Sequence, residues 1–296
     1  MKAFRIFLLL GAFLRTASLS AQDGINAGMP ASGTAAIRIW SLTGSIRLTT
    51  WSRDSVSVRG RMDPGAGRFF LGGSRDALKL GVEPPAGAAS NGTADLEVRV
   101  PAGARLWITS AAAEVDLTLD GGSATVVTVG SRVRVAGRAG EVSVETLDGN
   151  VELAFEGDAA KVRTASGTVV ARGVIQQLDA ATVSAPLLIG MEGKVRSVQL
   201  QTTSGEIAFK GDLLPDGVLY AETHGGEIEL RLPPHLGARW HLVSFGAGVV
   251  NQLVPDSAVH AGPGRGEWHF ITGDGRASVD VRTFKGSVTL IPRFEP

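Results

Sequence analysis

The chain has 296 residues, 44% of them hydrophobic, enough to fill a sizeable core and to exclude an intrinsically disordered protein. Twenty-nine Lys and Arg balance 29 Asp and Glu, so no net field gathers nucleic acid or anionic lipid onto it. Cysteine is absent, which excludes disulfides, thiolate metal sites and the acylated Cys of a bacterial lipoprotein, while 39 glycines and 6% aromatics suit short strands joined by tight turns.

In chain order, Lys2 and Arg5, an apolar run over 6–14 and the small residues Ala17, Ser18, Ser20 and Ala21 have the layout of a signal peptide over 1–21. This implies export to the periplasm, cell surface or exterior. No later run is long enough for a membrane span, so none is expected in the mature chain. Residues 22–36, rich in Gly, Ala and Ser, read as a flexible leader. Residues 37–109 read as an N-terminal β cap holding a first repeat copy at 37–60, loops at 63–67 and 83–93, and the strand Leu96-Glu-Val98-Arg-Val100.

From there a repeat dominates. Segments opening on Ser or Thr recur at Ser41, Ser110, Thr128, Thr146, Thr164, Thr182, Thr202, Thr223, Ser244 and Thr283; the steps from Ser110 to Thr182 are all 18 residues. Their fourth position is Gly at 44, 149, 167, 205, 226 and 286, Ala or Ser elsewhere, as a corner needing positive φ or close backbone approach requires. Two residues beyond it lies an aliphatic in every copy: Ile46, Val115, Val133, Val151, Val169, Leu187, Ile207, Ile228, Val249 and Val288. Polar residues alternate with these columns, so each copy reads strand, corner, strand. A second turn is expected near Gly137, Gly140, Gly157, Gly173, Gly193 and Gly211. Later steps of 20, 21, 21 and 39 residues suggest two final turns, one degenerate, with a loop excursion at about 251–276.

A lone unit of this kind cannot bury its apolar face, whereas stacked units make one continuous core. The expected fold is therefore all-β: a β-solenoid, single-stranded and parallel β-helix-like, of about 18–21 residues per turn over 110–292, its handedness left open.

Candidate chemistry is sparse. Glu206 and Glu227 occupy equivalent positions one turn apart, with Glu222 and Glu229 close by, and two carboxylates on adjacent turns could flank a glycosidic bond; a solvated acidic edge explains them equally. Asp116, Arg134 and Glu152, and beside them Glu114 and Arg132, read as an alternating charge ladder that fixes register. The spacing of His224, His235, His241, His260 and His269 gives no recognisable metal site, so no metal and no cofactor is expected. Gly262-Pro-Gly264-Arg-Gly266 lacks the following helix of a phosphate loop. Trp40, Trp51, Trp107, Trp240 and Trp268 would make a sugar platform only if exposed together, whereas Trp107 and Trp240 adjoin core columns and read as cap packing.

The opening Ile37-Arg-Ile39 with Gly44-Ser-Ile46 and residues 51–58, the segment Val98-Arg-Val100-Pro101-Ala-Gly103-Ala104, and the Thr-x-x-Gly ladder ending at Gly286-Ser-Val288 resemble the bacterial putative-adhesin domain family of unknown function. That resemblance covers nearly the whole mature chain and implies an envelope or surface β-solenoid without assigned catalytic residues. The expected function is a non-enzymatic, exported, adhesin-like cell-envelope protein presenting a rigid surface to an envelope protein or glycan. A carbohydrate-active β-helix enzyme, lyase or hydrolase, and an envelope sensor or scaffold module are the alternatives.

Overall fold

Alternating apolar and polar residues fold as strands throughout the computed structural model, which describes residues 23–85, 92–254, 260–261 and 266–293. The expected signal peptide lies outside them. The described strands are β1 (Asp23–Pro30), β2 (Ala36–Trp51), β3 (Ser55–Met62), β4 (Arg68–Gly73), β5 (Ala77–Glu83), β6 (Ala94–Pro101), β7 (Arg105–Asp120), β8 (Ser123–Thr128), β9 (Val133–Thr146) and β10 (Val151–Arg163). They continue with β11 (Val169–Thr182), β12 (Leu187–Thr202), β13 (Ile207–Thr223), β14 (Ile228–Leu232), β15 (Ala238–Ser244), β16 (Val249–Asn251), β17 (His260–Ala261), β18 (Glu267–Ile271), β19 (Ala277–Thr283) and β20 (Val288–Pro292). There is no helix among the described residues.

The protein is all-β, and its sheet is long and mostly parallel. Val115 pairs with Val133, Val133 with Val151, Val151 with Val169, Val169 with Leu187, and Leu187 with Ile207, so the aliphatic column of the repeat is one continuous buried file. Each such side chain removed from water stabilises the fold by roughly 1.5–3 kcal/mol, an upper estimate because the unfolded chain is itself partly compact.

The corner threonines complete the rung-to-rung contacts. Thr223 Oγ1 accepts the N–H of Gly226 at 3.0 Å and donates to the carbonyl of Gly205 on the next rung at 3.2 Å. Thr202 bonds Gly205 N–H and Val183 O in the same way, and Thr283 bonds Gly286 N–H and Gly226 O. All three side chains are buried, so each hydroxyl supplies partners to backbone groups that water cannot reach. The corner glycines answer a close approach: a Cβ on Gly226 would stand 1.8 Å from the Gly205 oxygen.

Four expectations are corrected. The leader at 22–36 is not free: Asp23–Pro30 forms β1, antiparallel to β3, because a Gly- and Ala-rich segment still carries a full row of backbone donors and acceptors. The second turn is a bend inside continuous strands, with ladder pairing kept on both sides of it; Gly137 (φ +103) and Gly173 (φ +112) adopt the left-handed backbone it needs. Within the expected excursion at 251–276, residues 267–271 form β18, antiparallel to β15. The rung carrying Thr283 does not follow that of Ser244. β19 pairs on one side with β13 and on the other with β15, and β20 lies between β14 and β16. The last strands of the chain are thus inserted one rung back.

Both ends of the parallel run meet antiparallel strands: β3 on β6 and β1 on β3 near the N-terminus, β18 on β15 and β17 on β18 near the C-terminus. These pairings occupy backbone edges that would otherwise template other chains.

Candidate functional site

Because each corner threonine points inward, the residue after it points out. These positions carry Val129, Leu147, Val183, Phe284 and Phe245, each more than half exposed, with Ala165, Thr203 and His224 between them. Backbone bonds from one corner to the next, such as Ala165 N–H to Leu147 O and Val183 N–H to Ala165 O, hold this apolar ridge in a fixed line. At its C-terminal end His224 stacks on Phe284 at 5.0 Å between centroids, and Phe245 tilts against the same ring at 5.8 Å.

There the outward rows on either side of the threonines enclose a groove of about 750 Å³. Glu222, Arg282, His241 and Glu267 line one wall and His224, Phe245 and Phe284 the other. Its polar wall is one connected network. Tyr220 donates its phenol proton to Glu222, and the Arg282 guanidinium lies over the tyrosine ring at 5.8 Å. Burial and that bond push the Tyr220 hydroxyl up to about 12. Arg282 donates twice to Asp280, at 2.8 Å each. Burial alone would raise the Asp280 carboxyl, but its bonds with Arg282 and His241 outweigh burial and hold it below the usual range.

His241 stands between two carboxylates: Nδ1 is 3.2 Å from Asp280 Oδ2 and Nε2 is 3.1 Å from Glu267 Oε1. His269 Nε2 lies 2.8 Å from the same Glu267 oxygen, and the two imidazoles stack at 4.5 Å, 5° from parallel. Strand pairing places them so. His241 and His269 are directly opposed on β15 and β18, Glu267 is two residues from His269 on the same face, and Asp280 faces His241 from β19. Sequence spacing did not foretell this group. The Glu267-Trp-His269 alternation put two members on one face, but nothing in linear order placed β18 beside β15. His235 is exposed in a turn, and His260 is the backbone partner of His269.

The other sequence candidates are dispersed. Glu206 and Glu227 lie at exposed corner positions on adjacent rungs and do not line the groove, whereas Glu222 does. The charge ladder forms: Arg134 reaches Asp116 at 3.8 Å and Glu152 at 2.9 Å, and Arg132 reaches Glu114 at 2.8 Å. Trp240 is buried, stacked on Phe270 and bonded through Nε1 to Thr272. Trp107 is 51% exposed, because strand alternation sends Leu106 and Ile108 inward; it shares a hollow with Trp40 and Lys79, apart from the other tryptophans. Of Gly262-Pro-Gly264-Arg-Gly266 only the last residue is described.

No family model matches the chain, and no curated protein matches it. It is similar to solved structures of low identity. One, described as a putative adhesin from Parabacteroides merdae, is 11% identical over 90% of this chain and 96% of that one, with a TM-score of 0.49. A second putative adhesin, from Parabacteroides distasonis, is 14% identical over 92% and 98%, with a TM-score of 0.47. A third, from the same species, is described as a putative lipid binding protein and is 9% identical over 91% and 97%, with a TM-score of 0.42. Among the described residues no helix is long and apolar enough to cross a membrane.

Proposed function

We propose that the chain is an exported, non-enzymatic envelope protein of adhesin-like type, a β-solenoid of 18–21 residues per turn whose N-terminal strands cap the coil. Its function is to hold a partner along the corner ridge. The observation that carries this reading is the exposed row of corner positions that carries Val129, Leu147, Val183, Phe284 and Phe245, with Ala165, Thr203 and His224 on the rungs between, on a backbone-bonded corner. Exposed apolar side chains gathered along one line of a surface mark an interaction site. Their aliphatic majority favours an apolar strip on an envelope protein over a sugar, which aromatic faces would hold better. Glu206 and Glu227, the pair that could flank a glycosidic bond, lie outside the groove, which weighs against the carbohydrate-active alternative.

The test is capture from envelope extract by the full chain and by a Leu147→Glu, Val183→Glu double variant, run beside a glycan array and a polysaccharide digestion panel. The expected result is a protein held by the parent and lost by the variant. Equal capture by both, retention on the glycan array alone, or cleavage of any polysaccharide would overturn the proposal.

A further inference from the structure

We propose that His241, Glu267 and His269 bind one divalent transition-metal ion of the zinc type at the C-terminal end of the sheet. One ligand atom from each lies within 4.8 Å of the other two. A tetrahedral zinc ion holds its nitrogen and oxygen donors about 3.3 Å from one another, given bonds near 2.0–2.2 Å. The two imidazole-to-carboxylate distances, 3.1 and 2.8 Å, are both somewhat shorter than that value, so the donors need only part slightly to admit the ion. Converging the two ring nitrogens on one ion needs His269, whose side chain is 48% exposed, to turn out of its parallel stack on His241.

Asp280 supplies a second geometric argument: its Oδ2 lies 3.2 Å from His241 Nδ1 and it accepts two bonds from Arg282, so it orients the imidazole with Nε2 toward Glu267 Oε1. A carboxylate behind a ligating imidazole is also the outer support that metal-binding histidines use. With two imidazoles, one carboxylate and no thiolate the donor set suits zinc and its neighbours better than calcium or magnesium. His241 and Glu267 line the groove, which supplies an entry path and leaves a fourth coordination position open to water or to a donor from a bound partner.

The test uses untagged full chain, stripped with chelator and titrated with Zn²⁺ by calorimetry, with metal content measured after dialysis. One equivalent per chain is expected. His269→Ala and Glu267→Gln should lose it, Asp280→Asn should weaken it about 10- to 100-fold, and His224→Ala, outside the cluster, should keep it. Circular dichroism confirms the fold of each variant, and Zn²⁺ should raise the Tm of the parent but not of His269→Ala. Absence of stoichiometric binding to the parent, or equal affinity in folded His269→Ala and Glu267→Gln, overturns the assignment.

Discussion

Replacing Thr223 by Val tests whether the corner hydroxyl or merely its shape holds neighbouring rungs together. The side chain is 2% exposed, and Val preserves its volume and branching while removing both hydrogen bonds. The Gly226 N–H and the Gly205 carbonyl then lose their hydroxyl partner in a buried corner. Each such group costs roughly 1–3 kcal/mol, so the substitution should destabilise by about 2–6 kcal/mol. Thr223→Ser keeps the hydroxyl and loses one methyl group, about 0.8 kcal/mol. The gap between the two variants is therefore at least about 1 kcal/mol, or roughly 2–4 °C in Tm for a chain of this size. Urea unfolding followed by far-ultraviolet circular dichroism measures both. A Val variant as stable as the Ser variant would refute the reasoning, since the methyl and not the hydroxyl would then be what the corner needs.

Arg134→Glu should lower Tm well below Arg134→Ala, because it sets a third carboxylate between Asp116 and Glu152; added salt should narrow the gap, and equal melting at low salt would contradict the ladder. Gly226→Ala should destabilise by roughly 1–3 kcal/mol through forced separation of the rungs, whereas Gly225→Ala, whose Cβ would meet nothing nearer than 3.7 Å, should be close to neutral in the same denaturation assay. Tyr220 is the sole tyrosine, so phenolate absorbance titrates it alone. The midpoint should lie near 12 and fall toward 10 in Glu222→Ala. Since the folded value is raised, this contribution to stability is complete below pH 10 and is lost as the pH climbs to about 12.

Much of the fold was legible because its determinants are local and periodic. The 18-residue step, the Thr corner and the aliphatic two residues past each corner repeat, and parallel stacking of identical units is the arrangement that buries every copy alike. The charge ladder followed from the same register. The expectation for Trp107 failed because neighbouring core columns were weighed above strand alternation, which sends it outward. The leader was misread because composition reports on side chains, while β1 is held by backbone pairing to β3.

The amino-acid order alone determined which side chains face in, which face out and which residues occupy equivalent places on successive rungs. Tertiary structure decided which rungs are neighbours once the repeat loses its step. β19 and β20 enter between rungs that precede them in the chain, and β18 folds back on β15, so Asp280, His241, Glu267 and His269 converge from three strands. The physical reason is that a strand edge accepts any partner of matching pattern. Alternation specifies the face a residue occupies, but the choice of partner depends on which edge is open when the last strands pack.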